Sequence, residues 1–165
     1  MQGDHDHATE HYERALQIAT TLGDRTGETH SLLGLAGIAF RQGDYAQATT
    51  RSERALQIAT TLGDRTGETH SLLGLAGIAR KRGDYDHATE HYERALKIAT
   101  TIGERTTEAD SLLGLGRVAA AQGADPQARR RLERAATLFR QLHRLDAERQ
   151  ALDLLEQLDE HPPSA

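Results

Sequence analysis

Apolar residues recur along this chain at the spacing of one face of an α-helix. Leu32, Leu35 and Ala39 stand at positions i, i+3 and i+7, and a second apolar stripe runs from Ala48 to Leu62. Because an α-helix completes a turn in about 3.6 residues, this spacing places the apolar side chains on one side. The sequence therefore predicts consecutive amphipathic helices, each with one face to bury against a neighbour.

Pairs of glycine and an acidic residue separate these stripes. Gly43-Asp44 lies between the two stripes, and Gly63-Asp64 follows the second. Glycine adopts the left-handed conformation that ends a helix, and aspartate caps the next helix by accepting a backbone N–H. Similar pairs occur at Gly3-Asp4, Gly23-Asp24, Gly83-Asp84 and Gly103-Glu104. The pattern predicts helices at residues 4–22, 25–41, 44–62, 65–81, 84–102, 105–121, 126–142 and 145–159.

One unit of forty residues repeats through most of the chain. The stretch Glu13–Ala39 recurs without change as Glu53–Ala79, a varied copy spans Glu93–Ala119, and a fourth copy begins at Gly123. A period of this length is typical of a stacked array, because one short unit cannot bury its apolar face alone. We therefore expect an all-α solenoid of about eight helices over residues 1–160. Its expected parts are a half repeat at 3–22, full repeats at 25–62, 65–102 and 105–142, a capping helix at 145–159 and a disordered tail at 161–165.

Small residues and a Gly-Asp-Tyr turn occupy fixed positions in the units. They include Leu35-Ala36, Gly43-Asp44-Tyr45, Ala48 and Ala55-Leu56, and Tyr92 adds an aromatic residue in the third copy. This pattern resembles the tetratricopeptide repeat, over roughly residues 3–142. The forty-residue form is similar to the longer-helix repeats of kinesin light chain, Pins-type scaffold proteins and bacterial signalling regulators. The resemblance implies antiparallel helix pairs stacked in a right-handed superhelix, whose concave surface binds partners.

The resemblance also implies where partners bind, namely on the first helix of each unit, away from the second helix. Carried onto this chain, the residues are His30, Leu33, Gly34, Gly37, Phe40, Arg41, His70, Leu73, Gly74, Gly77, Arg80, Lys81, Asp110, Leu113, Gly114 and Arg117. The three leucines would form an apolar floor. Glycine inside a helix is less favourable than alanine by roughly 1 kcal/mol. These glycines therefore either open the floor to a partner's backbone or let the helices pack closely.

Four of these residues are cations in an otherwise acidic chain. They are Arg41, Arg80, Lys81 and Arg117. Positive charge on one rim favours a partner with acidic side chains, because guanidinium groups pair well with carboxylates. The helix dipole by itself also favours cations near a helix C-terminus. Family members that clamp a C-terminal carboxylate carry Asn and Lys on this face, whereas this chain has Gly37 and Arg117, which argues against that mode.

Two copies of the second helix contain the pattern H-x-x-E-H. They span His7–His11 and His87–His91, and two histidines four residues apart share a helix face on which they can bind one metal ion. The alanine between them is the packing alanine of the repeat, however, so both imidazoles should face solvent. The middle copy has Gln47 and Arg51 instead. We therefore expect solvated surface here, with His7, His11, His87 and His91 as weak metal candidates.

The two ends of the array depart from the regular unit. Residues 3–22 form a half unit whose first helix is missing, so Ala8, Tyr12 and Ala15 should expose an apolar face. This suggests a fragment of a longer array, a late start codon, or a chain that pairs there with another molecule. At the other end, a helix that is otherwise charged has one apolar stripe, as expected of a cap, formed by Ala151, Leu152, Leu155 and Leu158.

Composition narrows the functional classes. The chain of 165 residues has no cysteine, which excludes disulfides, thiolate metal sites and a cysteine nucleophile. Its net charge of −5 offers no general attraction to nucleic acid, and the run Arg129-Arg130-Arg131 lacks interleaved aromatic residues for base stacking. No apolar run approaches the ~18 residues of a membrane span, so no membrane partner is expected and the cytoplasm is the default compartment.

The sequence favours a non-enzymatic scaffold that needs no cofactor and binds a peptide segment of a partner protein along its first helices. No catalytic triad, phosphate-binding glycine loop or dinucleotide fingerprint is present. Two alternatives stay open. The chain is a sensory or regulatory segment of a larger bacterial signalling or transcription regulator, or it self-assembles through the exposed face of its first helix.

Overall fold

The computed structural model describes residues 2–160, and these residues form eight α-helices and no strand. The helices are α1 (Gln2–Leu22), α2 (Arg25–Gln42), α3 (Tyr45–Leu62), α4 (Arg65–Lys81), α5 (Tyr85–Ile102), α6 (Arg105–Ala121), α7 (Asp125–Gln141) and α8 (Leu145–Glu160). The expected all-α solenoid is confirmed, and the helix bounds agree with the prediction to within two residues. The predicted disordered tail, residues 161–165, lies outside the described residues.

The turns between helices use the predicted glycine and acidic pairs. Gly43 has a φ of 80°, and the Asp44 side chain accepts a 3.0 Å hydrogen bond from the Gln47 backbone N–H. The Asp44 backbone N–H in turn donates to the Ala39 carbonyl at 2.9 Å. An L-residue with a side chain is strained at this positive φ, so glycine is required where the helix ends.

One predicted turn is wrong. Gly3 and Asp4 lie inside α1, which begins at Gln2. Among the described residues no helix precedes this pair, so it has no helix end to close and the helical pattern continues through it.

The described residues form two compact units that divide after Ile78, which we call the N-terminal and C-terminal units. In the N-terminal unit α1 packs on α2 and α2 packs on α3. Ala48, Ala55 and Ala59 of α3 are completely buried. Their small side chains let α3 approach its neighbours closely, which is the role that the sequence pattern assigned to them.

The C-terminal unit is built in the same way, with α5 on α6, α6 on α7 and α7 on α8. Its core is larger, because Leu132 and Phe139 of α7 are completely buried against α6 and against Ala151 of α8. The rest of α8 is partly buried or exposed, and the exposed residues include the apolar Leu145 and Leu152, at 70% and 39%.

Of the residues that the sequence predicts on an exposed apolar face of α1, Tyr12 and Ala15 are exposed, whereas Ala8 is partly buried. Ile18 is 51% exposed, whereas Ile58 and Ile98, at the same position of later units, are 3% and 7% exposed. Tyr12 is 39% exposed and Ala15 is exposed as well. The side of α1 that a first helix would cover is therefore open to solvent.

The complete burial of Ala48 gives a test of the helix packing. Replacing Ala48 with Leu forces extra carbon atoms into a close helix contact, which should lower the free energy of unfolding by about 1–3 kcal/mol. Ala46→Leu, two residues earlier on the exposed side of α3, is the matched control and should change it by less than about 0.5 kcal/mol. Urea unfolding followed by circular dichroism measures both. Equal stability of the two variants would contradict the described packing.

Candidate binding site

An apolar pocket of about 400 Å³ opens on the N-terminal unit, where α2 and α4 flank α3. We call it the Ser52 pocket. Its lining residues are His30, Leu33, Ala36, Gly37, Phe40, Ser52, His70, Leu73, Gly74, Gly77 and Ile78. Carbon atoms dominate this surface, and a volume of this order is typical of small ligand-binding pockets.

The two walls of the pocket are similar, because α2 and α4 have the same sequence from Arg25 to Ala39 and from Arg65 to Ala79. Leu33 and Leu73 are equivalent and partly buried, while His30 and His70 are equivalent and exposed at the pocket rim. Phe40 adds an aromatic ring whose centroid lies 5.7 Å from that of Tyr45. The two walls therefore offer apolar side chains to a bound group and imidazoles near its entrance.

The floor of the pocket depends on a contact between two neighbouring units. A side chain from the second helix of one unit lies against a glycine in the first helix of the next unit. A Cβ atom built on Gly34 would overlap the Tyr12 ring, and one built on Gly114 would overlap the Tyr92 ring. The equivalent Gly74 meets only Ser52, whose Oγ would lie 3.2 Å from such a Cβ. The pocket is thus open at the one of these three positions where serine replaces tyrosine.

Ser52 is buried without a hydrogen bond. It is 1% exposed, and its Oγ has no partner among the described residues. Other hydroxyls of the same helix, such as Thr49, donate to the carbonyl four residues before them. A buried hydroxyl without a partner is unfavourable by roughly 1–3 kcal/mol, and this Oγ has almost no surface accessible from the pocket.

Eight of the predicted groove residues come together in this pocket. They are His30, Leu33, Gly37, Phe40, His70, Leu73, Gly74 and Gly77. Arg41 is exposed near the end of α2 and is not part of the lining. Gly34 also lies outside the lining, because the Tyr12 ring covers it, so close helix packing explains this glycine. By contrast, a Cβ on Gly37 would approach only the flexible end of Arg41, at 3.8 Å, which agrees with an open floor.

Two predicted groove residues of the C-terminal unit are packed inside it instead. Leu113 is buried in a cluster with Leu132 and Phe139, against which Leu154 of α8 packs. Gly114 is buried under Tyr92. The expectation that Leu113 forms an open apolar floor is therefore wrong, because α7 and the capping helix cover the position that is open at Leu33.

The predicted polar residues of the C-terminal unit have partners of their own. Asp110 lies 3.2 Å from Arg144, and Arg117 donates to Gln150 at 2.9 Å. Burial lowers the pKa of Arg117 from its usual value, and the positive charge of Arg80 lowers it further. The Nε of Arg80 is buried without a hydrogen bond in the described residues. Arg80 therefore has an incompletely paired guanidinium whose charge acts on the half-buried Arg117. Lys81 is exposed in the last turn of α4.

The arginine-rich segment of α7 is occupied by ion pairs within the C-terminal unit. Arg129 lies 2.6 Å from Asp159, Arg131 lies 3.5 Å from Glu93, and Arg134 pairs with Glu108. These contacts neutralise much of the positive charge that the sequence places there.

Three of the four candidate metal-binding histidines are exposed, as predicted, namely His7, His11 and His87. The Nδ1 of His87 is 2.8 Å from Asp84, and this hydrogen bond lowers the pKa of the Asp84 carboxyl. His91 differs from the prediction because it is half-buried, and its Nδ1 has no partner among the described residues. Burial lowers the pKa of His91. Over the part of the chain that the structure describes, no group of three or more metal-ligating side chains is found.

Three overlapping stretches of the chain, residues 1–61, 26–101 and 66–141, match the family model of the tetratricopeptide repeat. The chain belongs to the tetratricopeptide repeat family. Repeats of this family are generally protein-interaction modules, and their fold is typically a non-enzymatic scaffold. Among the helices described for this tetratricopeptide repeat protein, none is long and apolar enough to cross a membrane.

Solved structures of several proteins share this fold. A STAND signal-transduction ATPase of Pyrococcus horikoshii with a tetratricopeptide repeat sensor has a TM-score of 0.76 and 19% identity over 88% of this chain, which spans only 23% of that protein. BtubC from P. vanneervenii has a TM-score of 0.70 and 20% identity over 98% of this chain and 76% of its own. The C-terminal domain of a Plasmodium falciparum FK506-binding protein has a TM-score of 0.58 and 20% identity. This match covers 83% of this chain and 94% of that domain. No curated protein sequence matches significantly, and the similarity to kinesin light chain stays a prediction.

Sequence reasoning missed Ser52, Ala36 and Ile78 as pocket residues. A signal for Ser52 was present, since the forty-residue period aligns Tyr12, Ser52 and Tyr92. Ala36 and Ile78 carry no such signal, because both lie on the packed stripe of their helices and are almost completely buried.

The half-buried His91 should make stability depend on pH. Its pKa is lower in the folded than in the unfolded protein, so the unfolded state binds the proton first as the pH falls. The melting temperature of the wild type should therefore fall between pH 7.5 and 5.5, around the ordinary histidine pKa of about 6.5, and His91→Gln should fall less. His11→Gln, at the exposed equivalent position of α1, controls for the loss of a histidine. Identical melting curves against pH for the wild type and His91→Gln would contradict this account.

Proposed function

We propose that this chain is a non-enzymatic interaction module that binds a peptide segment of a partner protein at the Ser52 pocket. The supporting observation is an apolar pocket on the first-helix surface of a tetratricopeptide repeat array, at residues that the sequence already placed in a partner-binding groove. Binding through burial of apolar side chains is the main favourable term in most protein association. The pocket therefore supplies the driving force, while its rim sets the orientation.

The shape of the site favours an extended chain or a single helix over a globular surface. Leu33, Phe40 and Leu73 are partly buried, whereas His30 and His70 are exposed. A partner must therefore insert its side chains to contact the apolar lining of the pocket. Gly37 presents no side chain, which lets a partner's backbone lie close to the floor. A peptide is able to satisfy both features at once, because its backbone follows the floor while single side chains enter the pocket.

Charge supports a partner with acidic side chains. Arg41 and Lys81 are exposed near the ends of α2 and α4, and Arg80 lies close enough to Arg117 to affect its pKa. A carboxylate from the partner would pair with such guanidinium groups and offset their mutual repulsion. We infer that such cations favour a partner with acidic side chains, with Arg41 acting on the N-terminal unit and Arg80, Lys81 and Arg117 on the C-terminal unit.

The binding function predicts a selective effect of pocket substitutions. Peptides selected from a random display library on the wild-type chain should bind Leu73→Glu at least tenfold more weakly, because the added carboxylate would be desolvated in an apolar pocket. Leu62→Glu is the control, since Leu62 is exposed near the end of α3 and does not line the pocket. Fluorescence anisotropy measures the Kd. A library that yields no binder, or binders unaffected by Leu73→Glu, would overturn the proposal.

The same peptides test the charge component. The double variant Arg80→Glu and Lys81→Glu should weaken acidic peptides and reduce the salt dependence of their binding, because two attractive charges become repulsive. Arg149→Glu, at an exposed position of α8, controls for the change in net charge. If the double variant leaves the affinity unchanged, the proposal of an acidic partner is wrong, and the proposal of apolar binding in the Ser52 pocket is unaffected.

A sensory or regulatory role is the second candidate function. The observation that favours it is the TM-score of 0.76 to a STAND ATPase that carries a tetratricopeptide repeat sensor, although that likeness concerns the fold. The coding sequence upstream of Met1 tests it. Further repeats or a signalling domain encoded in frame would support a regulatory segment, and a stop codon directly upstream would contradict it.

Self-association is a further candidate, and the open face of α1 favours it. Ile18 is 51% exposed, whereas the equivalent Ile58 and Ile98 are 3% and 7% exposed, so a helix packed on this face would bury Ile18. If this face joins two chains, Ile18→Asp should shift the protein from dimer to monomer in sedimentation velocity, while Gln17→Asp on the exposed side should not. A wild type that stays monomeric at high micromolar concentration would remove this candidate.

A further inference from the structure

The Ser52 pocket occupies a position that an aromatic ring fills elsewhere in the same chain. One position of the forty-residue unit is occupied by Tyr12, Ser52 and Tyr92 in three successive copies. The two tyrosine rings lie directly against Gly34 and Gly114. The corresponding Gly74 has only the Ser52 side chain in front of it. The chain therefore shows twice that the face of a helix glycine accommodates a phenol ring, and once it leaves that place open.

The pocket is also suited to such a ring in its size and its walls. Its volume is about 400 Å³, and its walls include Leu33 and Leu73 on opposite sides with the Phe40 ring at one end. Flat aromatic groups bury a large apolar area between aliphatic walls and pack favourably against other rings.

We infer that the Ser52 pocket receives an aromatic side chain, tyrosine or phenylalanine, from the bound peptide. This inference rests on the proposed function and adds the identity of the anchoring side chain. The inserted ring takes the place on Gly74 that the chain's own tyrosines take on Gly34 and Gly114. It packs between Leu33 and Leu73, and a tyrosine hydroxyl also meets the polar groups of the pocket.

The chain's own C-terminal residues do not supply this ring. Residues 161–165 read His-Pro-Pro-Ser-Ala and contain no tyrosine or phenylalanine. We assign the ring to the bound peptide of the proposed function. Its aromatic chemistry is inferred from the two units that place a tyrosine ring at this position, whereas the fourth unit carries Leu132 there.

A first experiment uses 4-methylphenol, the side chain of tyrosine, as the probe. Titration followed by ligand-observed and protein NMR should show saturable binding, with shifts at Gly74 and Leu33. Ser52→Tyr should abolish this binding and raise the melting temperature, because the variant supplies its own ring. Gln57→Tyr adds a tyrosine on the exposed side of α3 without filling the pocket, so it should bind the probe like the wild type.

A second variant covers the case in which Ser52→Tyr does not fold. Ser52→Leu introduces the residue type that the fourth unit carries at the equivalent position, Leu132. This variant should weaken the binding of 4-methylphenol at least tenfold. Wild-type protein that shows no saturable binding, or probe binding that survives in the folded Ser52 variants, would overturn the inference.

A second experiment uses the selected peptides and separates the two proposals. Peptides enriched on the wild type should share a tyrosine or phenylalanine. Replacing that residue with leucine should weaken peptide binding to the wild type at least tenfold. The same replacement should weaken binding to Ser52→Tyr less than twofold. Peptides that bind without an aromatic residue, yet are lost in Leu73→Glu, would overturn the aromatic anchor and leave the peptide-binding function intact. Binding of free 4-methylphenol without any peptide preference for aromatic residues would also overturn it.

Discussion

Close approach of neighbouring helices is the constraint on which the rest of this structure depends. Ala48, Ala55 and Ala88 are completely buried where one helix meets the next. Any larger side chain at these positions would push the helices apart, because protein interiors are packed as densely as organic crystals. Short Gly-Asp turns hold consecutive helices at this distance, since a glycine with positive φ ends one helix and the following acid caps the next.

The same close approach explains why one change of residue creates a binding pocket. Helices this near each other leave room for one side chain over the glycine of the first helix. A tyrosine fills that room at Gly34 and Gly114, whereas Ser52 leaves it open at Gly74. The helices α2 and α4 that flank this place are nearly identical in sequence, so the variation that creates the site comes from the second helix of the unit.

Ion pairs limit how much of the surface charge is able to act on a partner. Several arginines of the C-terminal unit contact carboxylates within it, including Arg129 with Asp159 and Arg144 with Asp110. Arg80 differs, since its Nε is buried without a hydrogen bond and its charge lowers the pKa of Arg117. A pair of like charges held together in this way favours an anion more than a solvated arginine does. Recognition would therefore combine one apolar anchor with a few cations.

The sequence by itself determined the helices, their turns and the repeat, because these depend on residues within about four positions of each other. The resemblance of the repeat to a known family also predicted that Leu33, Gly37 and Leu73 lie on a face that binds partners. Only the tertiary structure decided which of the equivalent glycines are covered, since the covering side chain comes from another helix, as Tyr12 does for Gly34. It likewise decided that Leu113 is buried, because α7 and α8 lie over a position that is open in the earlier units.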